Sequence, residues 1–377
     1  MQRIVSSPRV DWQRIVESQG FIFHSTDSPY WNEEAYYRLT AHEVSVLEQA
    51  TNELHARSLD AAQHVIDAKR YAELGIPAHA VPLIEATWNE EPPSLYGRFD
   101  LAFDGSRPPV MLEYNADTPT SLLEAAVIQW YWLEATHKDA DQFNSLHERL
   151  IATWKDLKPY LHGTVLHFTG VEAIEDAMTL AYIQDCASQA GITTKGVAID
   201  DIEYDHLEER FADQDRLPLT EVFKLYPWEW MVHEKFGQYL GRTATTTRWI
   251  EPAWKMVLSN KGILGILWEL FPGHPNLVPA YLGGPRGMEN FAKKPLLSRE
   301  GANVTLIRAG RAVESGSDQG YGEEGYVYQQ LVPVTAFAGK TPIIGSWVIG
   351  QTAAGIGIRE ADGLVTGNLS RFVPHLF

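Results

Sequence analysis

Two short dyads hold the residue types from which this chain could build a reaction centre. Arg98-x-Asp100 and Glu113-x-Asn115 lie within RFDLAFDGSRPPVMLEYNADTP, residues 98–119. In extended chain, side chains two residues apart share a face, so each dyad presents two polar groups together. Phe99, Leu101 and Phe103 then face the other way, as do Leu112 and Tyr114. Asp104-Gly105 between the runs predicts a turn, and hence a β-hairpin. Pairing Phe103 with Val110 sets Asp100 opposite Glu113 and Arg98 opposite Asn115. Two carboxylates facing each other destabilise a sheet unless a cation lies between them. Asp100, Glu113 and Asn115 together offer hard oxygen ligands of the kind Mg²⁺ takes beside phosphates. Arg98 beside that metal would neutralise charge on a transferring phosphoryl group. The competing reading is an exposed polar hairpin face with a surface ion pair.

Composition narrows the classes of partner. Thirty-one basic against 49 acidic residues give a net charge of −18 over 377 residues. That charge disfavours nucleic acid and anionic membrane as partners. It suits a cationic substrate, and equally a protein that is merely kept soluble. A hydrophobic content of 45% with 21% charged residues is that of a globular protein with a large core. The single cysteine, Cys186, excludes an internal disulfide framework and reads as core. The segment MQRIVSSPRVDW lacks the apolar stretch of a signal peptide, and no run of about 18 apolar residues predicts a membrane span, so cytoplasm is the expectation.

The elements that must position the dyads follow. Residues 10–85 read as mostly helical. Thr40 with Glu43 forms a capping-box pattern before a long helix, whose apolar stripe is Val44, Leu47, Ala50, Thr51 and Leu54. His24, His42, His55 and His64 lack metal-ligand spacing, and Tyr30, Trp31, Tyr36 and Tyr37 read as packing. Thr118-Pro119 predicts a helix start, with the helix continuing to about His137. Thr164–Phe168, a small-residue helix ending at Gly191, and Gly196–Ile199 make a βαβ unit and so a parallel sheet. Glu175-Asp176 opens that helix, where acids complement the helix dipole. Glu229, in an aromatic stretch, could bind an amine, but reads first as a surface acid beside core rings. Lys261 stands just before the apolar helix ILGILWELF. Phe291–Leu297 is a strand bearing Lys294, followed by a turn at Gly301, an arrangement that could hold a phosphate. Tyr326–Leu331 is a strand, and Ile343–Ile349 and Ala354–Arg359 are two more. Arg359 could equally pair with Glu360 or another acid. Glu360, Asn368, Ser370 and Arg371 are polar residues in an apolar tail. The βαβ unit carries no GxGxxG, and the chain has no Walker motif, HExxH, CxxC or nucleophile elbow.

RFDLAF, LEYNADTP, KP-x5-GAN and GIGIREADGLVTGNLSRFVPH resemble the synthetase half of glutathionylspermidine synthase, over roughly Trp12 to Pro374. The resemblance implies an α+β to α/β fold, ATP-grasp-like, with a small accompanying βαβ (pre-ATP-grasp) domain. It divides the chain into 1–155, a helical part carrying the hairpin 98–115; 160–250, the βαβ domain; and 251–377, the nucleotide-binding part. It implies an ATP- and Mg-dependent acid–amine ligase working through an acylphosphate. Its site residues carry over as Arg98 and Arg359 near the transferring phosphate, and Asp100, Glu113 and Asn115 on one or two Mg²⁺. Around ATP it places Arg98, Phe99, Asp100, Lys261, Lys294, Gly301, Gln329, Gln330, Leu331 and Leu364. The backbone of YQQL meets adenine, which Leu364 and Val365 help to line. Asp117, Glu175 and Asp176 fall near the substrates, with Asp176 where the family has a Glu. The implied partners are a small-molecule or peptide carboxylate and an amine such as a polyamine. The amidase half of the bifunctional synthase is absent, so hydrolysis of the amide is not expected. Two other readings stay open: a non-catalytic or regulatory ATP-binding protein, and a ligase acting on a peptide or protein terminus.

Overall fold

The computed structural model describes residues 1–25, 29–367 and 370–377; Asn368 of the polar tail lies outside them. Its centre is a five-stranded antiparallel sheet in the order Arg371–Val373, Thr352–Ala361, Thr341–Ile349, Tyr96–Ala102, Val110–Asn115. The hairpin thus pairs with strands from near the C-terminus. The long helix Ala41–Asp67 covers one face, and its Thr51 hydroxyl meets that of Ser346 in the central strand at 2.6 Å. Its capping box forms as read: Thr40 Oγ1 accepts from the Glu43 amide at 3.2 Å, while the Glu43 carboxylate accepts from the Thr40 amide at 2.7 Å. The helix over 122–136 covers the other face, where Gln129 Nε2 donates to the Ile356 carbonyl at 2.8 Å.

Four parallel strands form a second sheet, Arg248–Ile250, Glu221–Leu225, Leu166–Gly170 and Thr194–Gly196, with helix Ile174–Gln189 crossing between the last two. The βαβ reading holds, with the first strand two residues later than expected and the second shorter and beginning two residues earlier. Cys186 is buried against this sheet, as the sequence indicated. A third sheet is antiparallel: Ala280–Leu282, Tyr326–Gln330, Phe291–Pro295, Thr305–Arg308 and Arg311–Ser315. Residues 10–85 are mostly helical, as expected, with one strand among them, Ala35–Arg38, lying between Gln2–Val5 and His375–Leu376. Among the described residues no helix is long and apolar enough to cross a membrane.

Two apolar cores, each drawing on both the central antiparallel sheet and the parallel sheet, hold most buried apolar side chains. A third cluster is small and open: Ala292, Val304 and Leu306, flanked by half-buried Leu331, Leu364 and Val365. An apolar cluster that stops short of closing leaves room for a flat apolar guest.

Candidate active site

The hairpin register at the dyads is the one read from sequence: Arg98 faces Asn115 and Asp100 faces Glu113. Toward the turn it differs. A bulge follows Asp100, so Leu101 pairs with Met111 and Ala102, not Phe103, pairs with Val110. Leu112 is the extra residue, and it lines the cleft instead of the core. Its carbonyl, released from the ladder, accepts from Lys294 Nζ at 2.8 Å. On the opposite face Phe99 and Tyr114 stack with ring centres 3.8 Å apart. Phe99 therefore belongs to the core, beneath the polar face.

On that polar face Arg98 is forked onto Asp100, Nε to Oδ1 at 2.7 Å and Nη2 to Oδ2 at 3.2 Å, while Nη1 donates to the Thr120 carbonyl at 2.7 Å. With Arg98 only 7% exposed, this is no surface ion pair. Lys261 Nζ reaches Glu113 at 2.9 Å and the Ser298 carbonyl at 2.6 Å. Asn115 Nδ2 donates to Glu113 at 3.2 Å. Lys294 also donates to Gln329 Oε1 at 2.8 Å, and Gln329 Nε2 donates to the Met111 carbonyl at 2.8 Å. One amide thus ties the third sheet to the hairpin. Burial raises the Asp100 carboxyl above its ordinary range against the pull of Arg98, with Glu113 adding to the rise. Burial opposes charge on Glu113 too, but Lys261 and Lys294 beside it hold it well below the usual range. Burial, with Lys261 adding, lowers Lys294 to about 8.

Two cavities meet at this cluster. The larger, about 330 Å³, is polar and contains Arg98, Asp100, Glu113, Asn115, Glu175, Asp176, Glu229, Arg299, Glu300 and Arg359 in its wall. The second runs over the open apolar cluster and is lined by Lys294, Gln329, Gln330, Leu331, Leu364 and Val365. Asp100, Glu113, Lys261, Gly301 and Thr366 line both. Gly301 has φ +70°, and a Cβ there would come within 2.5 Å of the Thr366 carbonyl oxygen. The amides of Gln330 and Leu331 donate to the carbonyls of Pro279 (2.7 Å) and Asn290 (3.1 Å). The amides of Leu364 and Val365 donate to Glu314 at about 2.9 Å.

Arg359 lines the polar cavity and donates to the Gly367 carbonyl at 2.6 Å. It does not pair with Glu360, which Arg3 and the Tyr37 hydroxyl engage, each at 2.6 Å. Arg359 Nε is buried without a hydrogen-bond partner among the described residues. Asp117 stands in the cavity wall with both oxygens taken, by Lys224 and by the Trp228 amide at 2.9 Å. The helix after the hairpin begins at 122, not after Thr118; Ser121 has φ +66°, and Thr118 to Thr120 remain as cavity wall.

The acids of the far wall were the least legible. Glu175 and Asp176 do open their helix, yet they also face the cavity, and burial with Glu175 beside it raises Asp176 to about 6. Glu229 is a wall residue, not a surface acid; Arg299 lies 3.7 Å away. Burial raises Glu229 and Glu300 above the ordinary range. Sequence reasoning gave Arg299, Glu300 and Thr366 no role, and only their closeness to Gly301 and Arg359 could have drawn notice.

The family model described as "Glutathionylspermidine synthase preATP-grasp" matches residues 3–377. The "Putative acid--amine ligase" of Haemophilus influenzae is 42% identical, with all of both chains covered. "Trypanothione synthetase" of Crithidia fasciculata is 28% identical over 85% of this chain and 53% of its own length. "Bifunctional glutathionylspermidine synthetase/amidase" of Escherichia coli is 26% identical over 90% of this chain and 58% of its own length. The chain therefore spans little more than half of these last two relatives.

Proposed function

Since the chain belongs to the glutathionylspermidine synthase pre-ATP-grasp family, we propose that it is a ligase that joins a carboxylate to an amine at the expense of ATP. The observation that carries this reading is the meeting of an apolar cavity and an acidic one at Asp100, Glu113 and Lys261. A nucleotide laid across that junction has its base over Leu331, Leu364 and Val365. Its phosphates then lie at Lys294 and Lys261. The third sheet brings up the first lysine and its turn at Gly301; the helix Ile263–Leu270 follows the second.

The oxygen donors Asp100, Glu113 and Asn115 fit Mg²⁺, because two opposed acids, one already raised by burial and by the other, gain from a cation between them. One or two ions held there would supply charge neutralisation at the phosphates. Arg98 and Arg359 approach the same place from two strands and stabilise negative charge on the transferred phosphoryl group. The acid substrate's carboxylate oxygen bonds to the γ-phosphorus, and ADP leaves. The amine nitrogen, having lost a proton, then bonds to the acyl carbon, and phosphate leaves. Glu175, Asp176, Glu229 and Glu300 line the side from which a cationic amine would come, and Asp176 at about 6 is suited to receive that proton.

The test is a mass-spectrometric screen of carboxylates and amines with the protein and Mg-ATP. ADP and an amide formed in equal amounts support the reading. Tight ATP binding with no turnover in cell extract would overturn it in favour of a regulatory nucleotide-binding protein.

A further inference from the structure

Behind the helix over 122–136, on the side away from the hairpin, lies a separate cavity of about 470 Å³. That volume is within the range of small-molecule sites, about 300–1,000 Å³. Its wall carries the rings of Trp130, Tyr131 and Tyr182 and the carboxylates of Glu148 and Asp185. Among the described residues no lysine or arginine lines it. His147, also in the wall, has Nδ1 taken by the Tyr182 hydroxyl at 3.0 Å. Asp185 accepts from Gln189 Nε2 at 2.7 Å through one oxygen. Gln19 Oε1 is buried there and has no hydrogen-bond partner among the described residues. Trp130 and Tyr131 are 37% and 51% exposed, so their rings are open to a guest. Aromatic faces, two acids and an unmet acceptor, with no lysine or arginine among the described residues and one imidazole whose Nδ1 is already taken, make a site for a cation that also donates hydrogen bonds.

We propose that this cavity binds a small organic cation bearing one or two primary ammonium groups, at a site separate from the ligase cleft. The inference rests on the cavity alone and stands whether or not the chain is a ligase. None of its lining residues belongs to the cleft wall.

Titration calorimetry with 1,4-diaminobutane tests it, with butane-1,4-diol as the uncharged probe. The E148Q/D185N variant is expected to lose this binding by at least about tenfold, and Trp130→Ala to weaken it about three- to thirtyfold. A Glu175→Gln/Asp176→Asn variant removes only binding in the cleft and leaves this site intact. Thermal melts confirm that each variant is folded. Absence of diamine binding overturns the proposal. So does binding that only the Glu175/Asp176 variant removes, or equal binding of the diol.

Discussion

Glu113 is the residue on which the two halves of the cleft depend. It faces Asp100 across the hairpin, holds Lys261, and receives the amide of Asn115. Glu113→Gln keeps the shape but removes the charge and turns one of the two accepting oxygens into a donor, so it can no longer accept from both Lys261 and Asn115. ATP turnover is expected to fall about 10²–10³-fold, and the melting midpoint should fall as well, because the buried Lys261 loses its carboxylate. A variant turning over ATP like the wild type would remove Glu113 from the phosphate site. Lys294 gives a pH signature. Burial and Lys261 lower it to about 8 from the ordinary 10.5. As a phosphate ligand it is needed charged, so ATP affinity should be flat below about pH 8 and decline above it. Lys294→Arg should flatten the profile, and calorimetry across pH 6.5–9.5, in roughly half-unit steps, checks both. Stability moves the other way. Between about 8 and 10.5 the unfolded chain binds more protons at this group than the folded one. This lysine therefore raises stability as pH climbs through that window, and urea unfolding of the ligand-free protein should show the rise.

At the scale of elements, the central strand Thr341–Ile349 sets where Arg98 can point. Gly345 lies opposite Asp100, and a Cβ there would come within 2.9 Å of Arg98 Cδ. Gly345→Ala should push the guanidinium off Asp100 without disturbing a strand that accepts alanine. Turnover should drop about 10–100-fold while the unfolding midpoint stays within a few degrees. Unchanged turnover would mean that the fork from Arg98 to Asp100 has no part in catalysis. The hairpin, the capping box of the long helix and the parallel βαβ unit were legible because each rests on local chemistry: alternation, a Thr–Glu cap, a small-residue helix between two strands. The bulge at Leu112 was not, because what favours it lies far along the chain, in the lysine that takes the freed carbonyl. The helix start was misplaced for a similar reason. Arg98 claims the Thr120 carbonyl, and Ser121 turns through positive φ before the helix begins. Glu229 read as a surface acid because nothing in its neighbours announces that Arg299, seventy residues on, closes a cavity over it.

Across the whole molecule, the cleft exists because three sheets meet, and one buried ion pair ties two of them together. Lys224 is on a central strand of the parallel sheet, and Asp117 follows directly on the hairpin. They pair in the interior, and Asp117 also accepts the Trp228 amide, 2.9 Å away. Burial lowers Lys224, and Asp117 beside it offsets only part of that. Such a pair adds little net stability over apolar replacements, but removing one partner strands the other. Lys224→Met should therefore cost about 3–5 kcal/mol in urea unfolding. The D117N/K224M double variant should recover most of that loss. It also decides between two roles for Asp117. The family resemblance implies a place for Asp117 near the substrates, whereas its geometry makes it a latch, since both oxygens are already committed. If it is a latch, turnover returns along with stability, and the KM for the amine is unchanged. A double variant that is stable but has lost its affinity for the amine would return Asp117 to the substrate site.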